Sequence, residues 1–178
     1  MDRSQDRNLL RVLPALIALP FAVLGVFALL FSTSARAQTP SDLYASPDSE
    51  VYRTFSAILD GYYAAWSQSA EAGLSFYADT PELRIWDGTP VSDTGLEPYA
   101  QELIDWFSTL DTANSARQGE LQVMDRGDLV ITVSEFRSTA TAEGAEDYDE
   151  VLRQTLVWTK VGGMWRVIHE HSSPYPGE

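Results

Sequence analysis

The only two histidines of the chain, His169 and His171, lie two positions apart in a segment that alternates like a β-strand. On a strand, both imidazoles would face the same side as Trp165 and Val167. Histidine has the ordinary pKa nearest to neutral pH, so either ring could act as a general acid or base. Alternatively, both are polar core or cavity-lining residues. Glu170, between them, is predicted to face solvent.

Two histidines with a nearby carboxylate could also bind a metal ion. The spacing supplies no third ligand, so no metal site is predicted. The chain has 178 residues, a formal charge of −14 and no cysteine. The absence of cysteine excludes thiol chemistry and disulfides, and the acidic charge argues against nucleic acid or anionic lipid as a partner.

The N-terminus has the pattern of a targeting segment. Arg3, Arg7 and Arg11 precede an uncharged, mostly apolar run at 12–34, and Ala-Arg-Ala follows at 35–37. This pattern predicts a signal peptide cleaved after residue 37. The run also approaches the ~20 residues that span a bilayer, so a retained membrane anchor is the alternative. In both cases we expect a periplasmic or secreted domain, with the membrane contacted only through an uncleaved leader.

The remaining chain predicts a single α+β domain. Residues 38–49 read as a flexible tether, 50–174 as the domain and 175–178 as a tail. The hydrophobic spacing predicts, in chain order, helices at 50–71 and 74–77, a strand at 82–87, a helix at 95–110, and antiparallel strands at 121–125, 129–136, 151–161 and 163–173. Residues 112–118 are predicted to be a polar connector. Helices separate from a strand meander are typical of the α+β class.

Three segments in this order resemble a known superfamily. They are Tyr-Tyr-Ala-Ala-Trp at 62–66 with Phe-Tyr-Ala-Asp at 76–79, Trp-Asp at 86–87, and the final segment at 163–173. They resemble the nuclear transport factor 2-like superfamily, and within it the SnoaL-like and ketosteroid isomerase-like group. The resemblance implies a cone: a curved antiparallel or mixed sheet wrapped around about three helices, with an internal pocket. It also implies a homodimer and chemistry that needs no cofactor.

The same resemblance implies roles for individual residues. Asp87 matches a proton-shuttling aspartate, although it could simply open a turn. Tyr62 matches a tyrosine that donates to an oxyanion, although a buried aromatic is the alternative. Gln154 stands where the isomerases have a protonated acid, and an amide is a weaker donor. His169 and His171 offer an alternative acid or base.

The predicted pocket is lined by Trp66, Trp158 and Trp86, although tryptophans more often belong to the core. The expected function is binding of a small apolar or carbonyl-containing molecule. Catalysis would be a proton-transfer isomerisation, a dehydration or a hydrolysis, with Asp87 or His171 as the base. The alternative function is a non-catalytic domain that binds a ligand or forms oligomers.

Overall fold

The structure is a computed structural model and describes residues 43–87 and 95–175. The predicted leader, most of the predicted tether, the segment 88–94 and all but residue 175 of the predicted tail lie outside these residues. Within the described ranges, no helix combines the length and hydropathy needed to cross a membrane. Ala45, in the segment predicted to be a tether, donates its backbone N–H to the carbonyl of Val123 at 2.7 Å.

The described ranges contain three helices: α1 (Glu50–Trp66), α2 (Ala70–Leu74) and α3 (Glu97–Phe107). Helix α1 begins after Ser49, whose hydroxyl accepts a hydrogen bond from the backbone N–H of Tyr52 at 3.3 Å. This hydroxyl satisfies one of the free N–H groups of the first turn. Helix α2 lies four residues earlier than predicted, because Ser69 caps it in the same way.

The sheet has five strands: β1 (Arg84–Trp86), β2 (Thr112–Asp125), β3 (Leu129–Thr141), β4 (Tyr148–Val161) and β5 (Met164–Pro174). Their spatial order is β1-β5-β4-β3-β2. Strand β1 is parallel to β5, and the other neighbours are antiparallel. A curved, mixed sheet with helices beside it confirms the predicted α+β class.

The segment 112–118 was predicted to be a connector, and this is wrong. It forms the first half of β2 and pairs with the second half of β3. The register shifts between Gln118 and Gln122, where Gly119 has a positive φ of 65°. The prediction failed because the strand carries small and polar residues, among them Ala113 and Ser115, which line a cavity and leave no apolar alternation.

Strand β5 contains a β-bulge that changes which side chains face inward. The residues flanking Ile168 pair with two adjacent residues of β4, so Ile168 is an extra residue. Val167 and Glu170 are therefore both buried, His171 is exposed and His169 is half-buried. The predictions that the imidazoles share the inner face of Val167 and that Glu170 faces solvent are wrong. One extra residue shifts the alternation of a strand by one position.

The hydrophobic core lies where α1 packs on the sheet. Trp158 on β4 is fully buried and contacts Phe55 of α1 edge-on, with ring centroids 5.8 Å apart. Its indole N–H donates to the hydroxyl of Thr132 at 2.9 Å. A buried tryptophan with its polar atom satisfied is a packing residue. Trp158 therefore belongs to the core and does not line the cavity described next.

Candidate functional site

A cavity of about 380 Å³ opens between the helices and the sheet. Of the 21 described residues that line it, nine are aromatic, three are acidic and none is basic. The aromatic members are Tyr62, Tyr63, Trp66, Tyr77, Tyr99, Trp106, Phe107, Phe136 and Tyr148. The acidic members are Asp87, Glu102 and Glu170. An apolar cavity with a few convergent polar groups is the usual form of a small-molecule site.

Glu170 lies at the buried side of this cavity and is only 4 % exposed. Its Oε1 accepts hydrogen bonds from Gln154 Nε2 and Ser172 Oγ, both at 2.7 Å. Its Oε2 accepts from the hydroxyl of Tyr77 and, at 3.3 Å, from that of Tyr62. Four side-chain donors from α1, β4, β5 and the segment after α2 therefore converge on one carboxyl group.

The environment of Glu170 favours its protonated form. Burial raises the pKa of this carboxyl above its ordinary value, hydrogen bonds from Tyr77, Ser172 and Gln154 oppose the rise, and the charge of Asp87 adds to it. Burial, followed by the charge of Glu170, raises the pKa of Tyr77 well above 10. This phenol therefore remains a hydrogen-bond donor at neutral pH, and Glu170 is the group suited to exchange a proton.

Gln154 is held in one orientation by Tyr63. The phenol of Tyr63 donates to Gln154 Oε1 at 2.8 Å and lies 3.0 Å from the hydroxyl of Ser134. Since the amide oxygen faces Tyr63, the amide N–H₂ group faces Glu170. Gln154 was predicted to donate to a substrate oxyanion. In this structure it donates to a carboxylate of the protein.

A second carboxyl group is positioned by α3. Asp87 follows β1 directly, and its Oδ2 accepts a hydrogen bond from the phenol of Tyr99 at 2.6 Å. Burial raises the pKa of Tyr99, and the charges of Glu170 and Asp87 raise it further. Asp87 and Tyr99 both line the cavity, as does Tyr62. The structure thus brings together Tyr62, Asp87 and Gln154 of the sequence-predicted site.

Glu102 is the third acidic residue of the cavity. It lies on α3, three residues after Tyr99 and four before Trp106, so all three share one helix face. Its Oε2 is buried and has no hydrogen-bond partner among the described residues. A buried polar atom without a partner is uncommon in native proteins. The position was not predicted, although the helical spacing of Tyr99, Leu103 and Trp106 indicated this face.

The histidines lie outside the cavity. His169 contacts Trp86 edge-on, with ring centroids 5.3 Å apart, and Trp86 is 55 % exposed. His171 is exposed, and none of these three residues lines the cavity. Of the predicted pocket tryptophans, Trp66 alone is among the lining residues. In the part of the chain that the structure describes, no group of three or more His, Asp or Glu residues could hold a metal ion.

Two further site residues were missed from the sequence. Glu170 was assigned to the wrong face because nothing in the sequence marks Ile168 as a bulge. Tyr77 was placed in a short helix, but it lies beyond α2 and forms a bridge to Val167 of β5. The chain on either side of Tyr77 is fixed by backbone hydrogen bonds from Ala78 to Val167 and from Val167 to Phe76, both at 2.9 Å.

Solved structures of low sequence identity share this fold. A nuclear transport factor 2-like superfamily protein from Salmonella enterica superposes with a TM-score of 0.61 at 16% identity, over 70% of this chain and 92% of that chain. A Xanthomonas campestris domain, assigned as a calcium/calmodulin-dependent protein kinase II association domain, gives 0.58 at 20% identity, over 74% and 93%. A Novosphingobium aromaticivorans protein assigned as a scytalone dehydratase gives 0.61 at 10% identity, over 69% and 83%. The fold is therefore nuclear transport factor 2-like.

The family follows from the sequence profile of the SnoaL-like domain, which matches residues 55–177. This range is most of the chain, and the chain belongs to the SnoaL-like domain family. The resemblance noted from the sequence is thereby confirmed. No curated protein sequence matches the chain.

Proposed function

We propose that this SnoaL-like domain binds a small organic molecule in the aromatic cavity and catalyses proton transfer next to a carbonyl group. The observation that carries the proposal is the buried Glu170 carboxyl at the cavity wall, whose pKa is raised by burial. A second carboxyl, Asp87, lines the same cavity and is held by Tyr99 at 2.6 Å. Two carboxyl groups in different environments can divide the roles of acid and base.

The roles follow from the surroundings of each group. Asp87, half-buried, takes a proton from the carbon next to the carbonyl, and the electron pair of that C–H bond moves toward the carbonyl oxygen. When Glu170 is protonated, it can donate its own hydrogen to the hydroxyl of Tyr77 or Tyr62, and the hydrogen that this phenol otherwise donates to Glu170 is free to stabilise the negative charge on that oxygen. Glu170 can return a proton through Tyr77, either to carbon in an isomerisation or to a departing hydroxyl group in a dehydration. In a hydrolysis, Asp87 would instead take a proton from a water molecule as it attacks an ester carbonyl, and Glu170 would protonate the departing alkoxide through Tyr77 as the C–O bond breaks.

Two proteins of the same fold are assigned as dehydratases, which makes dehydration the first reaction to test. One neighbour from Novosphingobium aromaticivorans is assigned as a scytalone dehydratase, at 10% identity. At this identity the likeness concerns the fold alone, and the reaction is argued from the residues of this chain. Isomerisation and dehydration by this route require no bound cofactor.

A non-catalytic domain is the second candidate, and one observation favours it. Both oxygens of Glu170 already accept hydrogen bonds from the protein. A carboxyl group so fully bonded can serve packing alone. The Xanthomonas campestris neighbour is assigned as an association domain, and an assembly role through the exposed sheet face would fit the expected homodimer.

The test compares three variants of the full chain: Asp87→Asn, Glu170→Gln and the control Glu97→Gln. Glu97 is exposed at the start of α3 and does not line the cavity. The substrates are 3-hydroxy ketones, β,γ-unsaturated ketones, esters and epoxides. We expect turnover by the parent and the control, and a loss of roughly 100-fold or more in the two site variants. Equal rates in all four proteins would leave the binding function as the better account.

We also propose that the domain acts outside the inner membrane. The basis is the arginine-flanked apolar run and the Ala-Arg-Ala motif at 35–37. Expression with its own N-terminus, followed by fractionation and intact-mass measurement, tests this proposal. Cleavage after residue 37 would yield a chain starting at Gln38 in the periplasm or medium, whereas a retained leader would leave the full mass in the membrane fraction. A full-length protein in the cytoplasm would contradict export.

A further inference from the structure

We infer that the cavity selects an organic cation, a small molecule with an ammonium group on an apolar or aromatic body. The inference rests on the proposed binding function and names the chemical class of the ligand. Three features carry it: the acidic and not basic lining of the cavity, one carboxyl oxygen with no hydrogen-bond partner among the described residues, and the arrangement of the aromatic rings.

The carboxyl groups around the cavity have no basic counterpart among the described lining residues. Asp87, Glu102 and Glu170 line it, and no described lining residue is Lys, Arg or His. The segment 88–94, which follows Asp87 in the sequence, reads Gly-Thr-Pro-Val-Ser-Asp-Thr and contains no basic residue. Because burial raises the pKa of Glu170 and favours its neutral form, Asp87 and Glu102 are the carboxyl groups that give this low-dielectric hollow its negative potential. Such a hollow repels anions.

Glu102 supplies a specific anchor for a donor. Its Oε2 is buried and has no hydrogen-bond partner among the described residues. Nor does Glu102 take part in an ion pair there, since the described pairs join Arg117 to Asp60, Arg137 to Asp149 and Arg153 to Glu135. Leaving a buried carboxylate oxygen without a donor is costly. An ammonium group bound in the cavity would supply both the missing donor and the opposite charge.

Aromatic rings stand on the same side of the cavity as Glu102. On α3, Trp106 and Phe107 contact each other edge-on with centroids 5.2 Å apart, and Phe107 lies 5.9 Å from Trp66 of α1. Trp106 is 44 % exposed, so it offers ring surface to an incoming molecule. The faces of tryptophan, tyrosine and phenylalanine attract cations through their quadrupoles. An acid among aromatic rings is therefore a favourable setting for an alkylated ammonium group.

Three probes of similar size separate the effect of charge on binding from the effect of shape. They are 2-phenylethylammonium, 2-phenylethanol and 3-phenylpropanoate, which share one ring and differ in the charge of the end group. Binding to the full chain is measured by calorimetry at neutral pH. We expect the cation to bind roughly tenfold or more tightly than the alcohol, and the anion not to bind.

Two variants test whether Glu102 is the source of the preference for the cation. Glu102→Gln keeps the shape of the side chain and removes its charge, and Glu97→Gln removes a charge from an exposed position of the same helix. We expect Glu102→Gln to lose most of the preference for the cation while its affinity for the alcohol is unchanged. Glu97→Gln should keep the preference of the parent. Circular dichroism of both variants verifies that they are folded.

The outcomes distinguish the inference that the cavity selects a cation from the proposal that it binds a small molecule. If the alcohol binds as tightly as the cation, selection for a cation is overturned and the cavity stands as a site for neutral molecules. If the anion binds best, the charge argument fails in the same way. If none of the three probes binds, both the cation inference and the proposed binding site are contradicted. If Glu102→Gln and Glu97→Gln reduce the preference for the cation equally, its cause is general surface charge, and the assignment to Glu102 is overturned.

Discussion

The side-chain amide of Gln154 donates to Oε1 of Glu170 at 2.7 Å across two neighbouring strands. The two residues are diagonal neighbours, because Gln154 pairs with Ser172 in the β4–β5 register. The amide cannot rotate away without losing its bond to Tyr63. The position of the carboxyl group is therefore set by two strands and by helix α1 together.

The raised pKa of Glu170 predicts a pH-dependent stability. The folded state binds this proton more tightly than the unfolded state, so the stabilisation is complete below the ordinary Glu value of 4.5 and is lost as pH rises through the folded-state pKa. The glutamine side chain of the Glu170→Gln variant has no titratable proton. The stability of the parent relative to this variant should therefore fall as pH increases above 4.5.

Urea unfolding at intervals between about pH 4 and pH 8 measures this difference. Tyr62, Tyr77 and Tyr99, which face Glu170, have pKa values raised above 10 and do not titrate in this window. The Glu97→Gln variant serves as the control for a carboxyl group that is exposed and lies outside the cavity. If the stability of the parent relative to Glu170→Gln rises with pH, the assigned direction of the Glu170 pKa shift is wrong.

The hydroxyl of Tyr63 should contribute measurably to stability. It donates to Gln154 at 2.8 Å and contacts Ser134 at 3.0 Å in a buried site. Tyr63→Phe leaves the amide oxygen of Gln154 without its donor, so we expect a loss of about 1–3 kcal/mol in the free energy of unfolding. Tyr52→Phe, at a half-buried position of the same helix, should change it by less than about 0.5 kcal/mol. Equal effects of the two changes would refute the proposed role of the hydroxyl.

Gly73 is predicted to be essential for the position of Trp66. A Cβ atom at residue 73 would lie well inside van der Waals contact with the Trp66 indole, a wall of the cavity. We expect Gly73→Ala to destabilise the fold by about 1–3 kcal/mol and to weaken ligand binding by displacing that ring. Thermal unfolding and tryptophan fluorescence measure both effects.

Gly61 provides the matched comparison, because a Cβ there would meet Phe76 at an ordinary 3.8 Å. Gly61 lies inside α1, where alanine favours the helix by about 1 kcal/mol over glycine. Gly61→Ala should therefore be neutral or stabilising. If Gly73→Ala behaves like Gly61→Ala, the indole is not held by the absence of a side chain at residue 73.

The histidines should be dispensable for binding and turnover in the cavity. His169 packs against the exposed Trp86, and His171 is exposed on the same strand, outside the cavity. We expect His169→Ala and His171→Ala to leave ligand affinity and rate within about twofold of the parent, since neither ring approaches the cavity. A loss of tenfold or more in either variant would return the imidazoles to the list of site residues.

Helix α1 and the three long hairpin strands could be predicted from the sequence because their hydrophobic periods are regular. Phe55, Leu59 and Tyr62 recur at helical spacing, and all three are buried. Residues 112–118 lack such a regular hydrophobic period, because the inner positions of that strand face a cavity and carry small or polar side chains. Hydrophobic alternation reports contact with a packed core, so it is weakest where a protein leaves a hollow.

The site was only partly predictable for a different reason. Asp87 and Tyr62 were predicted through the resemblance, and both are among the residues that line the cavity. Glu170 could not be found, because a bulge at Ile168 changes the face of every later residue without a signature in its own sequence. Whether Glu102 Oε2 finds a partner depends on residues distant in the chain, and no local sequence pattern shows that it has none among the described residues.

The bulge at Ile168 also marks the point where the free edge of β5 changes neighbours. Val167 exchanges backbone hydrogen bonds with the chain around Tyr77, whereas residues from His169 onward pair with β1, which leads into Asp87. Strand β5 thus fixes the positions of two separate segments, which contribute Tyr77 and Asp87 to the cavity. An insertion in the largely exposed connection at 79–82 would therefore leave the spacing of Tyr77 and Asp87 intact, because each is positioned by the pairing of its own segment with β5.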